Sequence, residues 1–179
     1  MGILRRLRIL TAAVVLALLT PAPAELSPNE YAVKAVFVYN FCRFIDWPRS
    51  AFDSPAEPFI IGIVGDDPFG SLLGEAIQGE FYRGRPIQIR HFRSPGEIGR
   101  CHLLFVSQAN AAQLDAILAS VAGRNVLTVG ETELFLDRGG MIALIAEQNR
   151  VRLRINPMSL RTVNLSVSSK LLQVADIRP

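Results

Sequence analysis

The sequence predicts an open three-layer α/β sandwich: a mostly parallel sheet of about six strands with a C-terminal β-hairpin edge. Three observations carry that expectation. Phe59-Ile60-Ile61-Gly62-Ile63-Val64 is an unbroken apolar run, the pattern of a strand buried on both faces. Strand-like runs then alternate with helical stretches, which is how parallel sheets are connected. Near the C-terminus, "MIALIAEQNRVRLRIN" reads as a hairpin turning at Gln148-Asn149.

Residues 1–24 are set apart from this domain. Arg5, Arg6 and Arg8 precede the apolar run Ile9–Leu19, and Ala22-Pro23-Ala24 supplies small residues for cleavage. That order is a secretory signal peptide, with cleavage expected after Ala24. The run is shorter than the roughly 20 residues a membrane-spanning helix needs. Its removal takes three arginines from the 19 basic residues, leaving 16 against 16 acidic ones. A neutral domain lacks the basic surplus that nucleic-acid binding requires. The expected product is one domain over 25–179, exported to the periplasm, with no direct membrane insertion.

The elements follow in chain order. Ser27-Pro28-Asn29-Glu30 is a helix start, with Ser at the cap, Pro at the first position and Glu three residues after the cap. The helix is expected to run to about Ile45 and to stop before Trp47-Pro48. After the Phe59–Val64 strand, Asp67 and Pro68 suggest the cap and first residue of a second helix. Strands are expected over Pro86–Arg90, His102–Val106 and Asn125–Val129. A helix over Asn110–Val121 stopping at Gly123, and a short one at Glu133–Leu136, fall between or after them. In the hairpin, Val151, Leu153 and Ile155 share one face and Arg150, Arg152 and Arg154 the other. Pro157–Ala175 reads as helical.

Catalytic chemistry finds little support. Cys101 and His102 are adjacent, so on a strand they face opposite ways. His91 is the only other histidine, no GxSxG surrounds Ser107, and no metal-ligand spacing appears. The sequence therefore predicts no catalytic residues, no metal and no cofactor. Gly65-Asp66-Asp67-Pro68 joins a buried strand to a helix start and is the best small-ligand loop, although two carboxylates there would repel an anion, and helix capping with a tight turn is the more ordinary explanation. In open α/β sheets ligands sit beyond the carboxyl ends of the strands, here Asp66, Asp67, Ser107 and Glu131. Tyr39, Phe41, Phe44 and Trp47 could form a docking patch, with core packing the more ordinary explanation. Cys42 and Cys101 allow one disulfide in an exported protein, yet Cys42 falls on an apolar helical arc, where a buried free thiol is the more ordinary reading.

Lys34 is the sharpest anomaly. At 100° per residue it shares a stripe with Phe37, Val38, Phe41 and Ile45, where lysine is seldom fully buried. The chain has 17 arginines and only two lysines, Lys34 and Lys170. The Lys34 ammonium either snorkels past the helix N-terminus or pairs with a carboxylate, for which Asp66, Asp67 and Glu131 are the candidates.

The segments "YAVKAVFVYNFCRFIDWP", "IGIVGDDPFG", "CHLLFVS", "LTVGE", "GGMIALIAEQNRVRLRIN" and "SSKLLQVA" resemble, in order, the successive motifs of the YfiR family. The resemblance implies a periplasmic regulator of Gram-negative bacteria. Its partner would be the periplasmic sensor region of an inner-membrane signalling protein, such as a diguanylate cyclase controlling cyclic-di-GMP and biofilm formation. It also implies redox control by a disulfide to a cysteine in the first strand, but here that strand reads Ile61-Gly62-Ile63. Cys42 would have to substitute as the partner of Cys101. A periplasmic small-molecule sensor with its crevice at the strand ends is the competing reading, and a homodimer is compatible with either.

Overall fold

The first helix, α1 (Pro28–Phe44), carries buried residues at Lys34, Ala35, Val38, Phe41 and Cys42. This spacing of three and four residues builds one continuous face against the sheet. The structure, a computed structural model, describes residues 28–177, so the leader and its cleavage site lie outside the described residues. After α1 the chain turns at once into β1 (Ile45–Asp46) and then extends through Pro48.

The central strand is β2 (Phe59–Val64), every residue of which is buried. It pairs in parallel with β4 (Arg85–Phe92) on one side and β5 (Leu103–Val106) on the other. Next come α2 (Leu72–Ile77) between β2 and β3 (Phe81–Tyr82), α3 (Leu114–Val121) between β5 and β6 (Leu127–Gly130), and α4 (Glu133–Asp137) before β7 (Ile142–Glu147). The hairpin partner is β8 (Arg150–Ile155), followed by α5 (Pro157–Leu160), β9 (Ser166–Val167), α6 (Ser169–Gln173) and β10 (Asp176–Ile177). The main sheet has the order β10-β8-β7-β6-β5-β2-β4-β3, and β1 pairs with β9 in a separate two-stranded ribbon.

Two cores flank the sheet. One packs α1, α2, Trp47, Leu160 and Leu171 against Phe59, Ile61, Ile63, Leu103, Phe105, Leu127 and Val129. The other packs Leu114, Ile117 and Val121 of α3 and Phe135 and Leu136 of α4 against Ile60, Val64, Leu104 and Val106. Alternate residues of the same strands feed the two cores, which makes the fold an α/β sandwich of three layers.

The hairpin turns at Gln148 and Asn149 with φ of 48° and 62°. Both values lie in the left-handed region that a tight two-residue hairpin turn demands. Four expectations need correction. The sheet has eight strands, because β3 and β10, of two residues each, extend its two ends. The hairpin is therefore not the outermost element: β10 lies outside β8, parallel to it. The second helix starts at Leu72 instead of Pro68, because Asp67 Oδ1 accepts the Phe69 N–H at 2.8 Å and closes a local turn, and Gly70 then takes φ 56°. Pro157–Ala175 is not one helix: Thr162-Val163-Asn164 and Ser166-Val167-Ser168 are weak helix formers, and Ser166–Val167 pairs instead with β1. A smaller difference is that Gln108–Gln113 forms a tight 3-10 segment before α3.

Candidate functional site

Lys34 is 2% exposed and lies at the carboxyl end of β6, where Glu131 immediately follows the strand. Its Nζ donates to Glu131 Oε1 at 2.5 Å and lies 2.5 Å from Glu30 Oε1, one helical turn back. Glu131 Oε2 accepts the Gln108 N–H at 2.9 Å, and the Tyr31 hydroxyl also bonds to Glu131. The Tyr31 ring lies 4.8 Å from the ammonium, close enough for a cation–π contact. Burial, then the adjacent Glu131 and Glu30, push the Tyr31 hydroxyl well above its ordinary range, so it stays a donor. The cluster ties α1, the β5–α3 connection and the end of β6 into one buried knot. An ammonium held by two carboxylates is a brace and offers no free amine for chemistry.

Glu131 is thus the carboxylate that meets Lys34. Asp66 is exposed, and Asp67 is turned toward His91, whose Nε2 lies 2.9 Å from Asp67 Oδ2. Ser107 is buried, its Oγ accepting from Asn110 Nδ2 at 3.1 Å, while the same amide donates to Val64 O at 2.9 Å. Gly65 has φ 75°, and a Cβ there would stand 2.2 Å from Asn110 Oδ1. Asn110 is therefore the plug of the strand ends, seated where only glycine leaves room. The space left among Val106, Ser107, Asn110, Glu131 and Phe135 is about 10 Å³, the scale of a single water. Behind Glu131, a Cβ on Gly130 would lie 2.3 Å from the Phe135 ring, so α4 closes directly on the strand end.

Cys101 and His102 lie just before β5, outside the strand, and point to different cores, Cys101 to the one beneath α3 and the His102 ring to Phe52 and Phe59 on the other side. His102 Nδ1 accepts the Ile60 N–H at 2.9 Å and Nε2 bonds to Ala51 O at 3.2 Å, which fixes a neutral ring. Burial lowers its pKa to about 4 against the opposing pull of Glu57. The ring stacks on Phe52 and Phe59 and serves packing. The Cys42–Cys101 bridge is not formed: both thiols are free and buried, Cys42 in the core beneath α1 and Cys101 in the core beneath α3. With the sheet between them no disulfide can span the gap. Burial pushes the Cys42 thiol up to about 12 and the Cys101 thiol up to about 11. Among the described residues, no group of three or more His, Cys, Asp or Glu could hold a metal ion.

The aromatics at the end of α1 belong mainly to the core. Trp47 is 3% exposed, donates Nε1–H to His102 O at 3.0 Å and stacks edge-on against Phe59 and Tyr82. In the arginine-rich stretch, Arg100 pairs with Asp53 and Glu57, and Arg85 lies over Phe52. These contacts pin the Ser54–Pro58 connection to the sheet. Sequence reasoning missed Glu30 and Tyr31. The Glu30–Lys34 spacing of four was the available signal, since such pairs are neighbours on a helix.

A family model described as YfiR/HmsC-like matches residues 31–176. No curated protein matches the chain. Two solved structures are similar in fold. A conserved domain protein from Vibrio cholerae superposes with a TM-score of 0.57 at 11% identity, over 86% of this chain and 60% of that one. A chain from Streptococcus pneumonia described as the ABC domain in complex with L-Trp gives 0.53 at 11% identity, over 82% of this chain and 59% of that one. The chain thus spans about 60% of the length of each.

Proposed function

The chain belongs to the YfiR/HmsC-like family, and on that premise we propose that it is a non-catalytic periplasmic regulator. It acts by binding the extracytoplasmic sensor region of an inner-membrane signalling protein, of which a diguanylate cyclase controlling cyclic-di-GMP and biofilm formation is the leading class. The basic-apolar-small order of residues 1–24 supports export with cleavage after Ala24. No described helix is long and apolar enough to cross a membrane.

The observation that carries the reading is the closed strand end. In an open α/β sheet this is where a ligand or substrate would bind. Here Lys34, Glu131, Glu30 and Asn110 fill it and leave about 10 Å³. A domain whose strand ends leave no substrate-sized crevice, and whose buried histidine and thiols are held in unreactive forms, works on this reading through its surface. Its output is then a change in the state of a partner.

The small-molecule reading has one observation in its favour, the L-Trp complex of the Streptococcus pneumonia neighbour. At the strand ends, where an amino acid would need roughly 300 Å³ or more, Asn110 and the Lys34 knot would have to move aside.

The test is photo-crosslinking from intact cell envelopes, with identification of the captured chain and of the joined peptide. The regulator reading expects an inner-membrane signalling protein joined through its extracytoplasmic region. Recovery of no membrane protein from any of several surface positions would end it.

A further inference from the structure

The strand β8 carries a feature that the strand-end knot leaves unused. Arg150, Arg152 and Arg154 occupy alternate positions and share one face, so they stand about 7 Å apart along the strand. Arg154 is already saturated by the carboxylates of Glu133 and Glu147. Arg150 and Arg152 are exposed, and their side chains have no ion-pair or hydrogen-bond partner among the described residues. Glu147 lies across the ladder from Arg150, but its Oε1 is taken by Arg154.

The backbone beside these arginines is also open. β10 pairs only with Arg154 and Ile155. No described strand pairs with the outer edge of Arg150–Leu153. An unpaired strand edge presents N–H and C=O groups that an extended segment can complete. Side chains of such a segment facing the arginine side would stand about 5 Å from Arg150 and Arg152.

We propose that this edge docks an extended acidic segment of the protein partner. The segment pairs its backbone along Arg150–Leu153 and places Asp or Glu at alternate positions against Arg150 and Arg152. The proposal rests on the partner-binding reading above and specifies the surface and chemistry of that contact. Charge complementarity selects the occupant: Arg154 shows that a guanidinium on this face is satisfied by carboxylates. A basic strand would meet repulsion, and an apolar one would cover two unpaired charges. The domain's acidic and basic residues balance once the leader is removed, so the unpaired arginines are a local surplus.

The test uses an N-acetylated octapeptide of alternating Asp and Val as the probe, titrated into the protein at low salt and followed by backbone amide NMR. Saturable shifts confined to β8, β10 and their neighbours are expected. Binding should weaken roughly tenfold in R150E/R152E and also in R150Q/R152Q, remain unchanged in R90E, and be absent for a Lys-Val peptide. Melting curves certify that each variant is folded. No saturable binding, or equal binding by wild type and R150E/R152E, overturns the proposal. Tighter binding to phosphatidylglycerol vesicles than to the peptide, lost in the same variants, overturns it in favour of a lipid surface. Peptide binding without any envelope crosslink leaves the edge standing and removes the regulator reading; a crosslink that survives R150E/R152E does the reverse.

Discussion

Replacing Lys34 by Met tests the buried knot most severely. Methionine matches the length and apolar stem of lysine, so packing under α1 is nearly preserved. What disappears is the ammonium 2.5 Å from both Glu131 and Glu30. Glu131 keeps the Gln108 N–H and the Tyr31 hydroxyl but loses its countercharge, and its side chain is 1% exposed. Breaking one partner of a buried ion pair costs about 3–5 kcal/mol. For a domain of this size each kcal/mol moves the melting temperature by roughly 2–4 °C, so K34M should melt roughly 6–20 °C below wild type at neutral pH. Calorimetry on the purified protein reads this directly. The K34M/E131Q double variant should recover at least half of the loss, because the uncompensated charge goes with the ammonium. A K34M melting temperature within about 2 °C of wild type would refute the reasoning and return Lys34 to a snorkelling role.

Three further outcomes are expected. His102, with its pKa lowered to about 4 in the fold, binds a proton more readily when unfolded, so stability is complete above the unfolded value near 6.5 and falls as pH drops toward 4. Urea midpoints should show about 2 kcal/mol lost between pH 7.5 and 5.0 from this group, absent in H102Q once other titrations are subtracted. Cys42 and Cys101 should resist thiol reagents in the native state and react twice on unfolding, with no mass change on reduction; a 2 Da gain would contradict two free thiols. Gly130→Ala should destabilise by about 1–3 kcal/mol in urea titration, because its Cβ would meet Phe135 at 2.3 Å and push α4 off the strand end; an unchanged midpoint would mean α4 shifts freely.

Much of the architecture was legible because its signals are local. Phe59–Val64 reads as a doubly buried strand, and Gln148-Asn149 reads as the hairpin turn that the backbone adopts. The failures occurred where a long-range contact overrides local preference. Ser166–Val167 becomes a strand only because Ile45–Asp46 lies opposite, and Asp67 caps its own turn instead of a helix. At the site, periodicity placed Lys34 on the buried face and named Glu131 among three candidates. It could not choose between them, because Asp66, Asp67 and Glu131 all end strands. Only the crossover order of the sheet puts α1 over the end of β6. Asn110 gave no sequence signal at all, since its role depends on the bare Gly65 backbone it abuts.

The central claim is that the strand ends are closed by the chain's own charges, so that function resides on the surface. Direct NMR observation of the Lys34 ammonium, with the free amino acids and nucleotides titrated in, tests it most directly. The account predicts a slowly exchanging ammonium signal that no small molecule shifts. A ligand that moves it saturably, together with the amides of Gly65–Asp67, Ser107 and Gly130–Glu131, would contradict the claim and make this protein a small-molecule sensor.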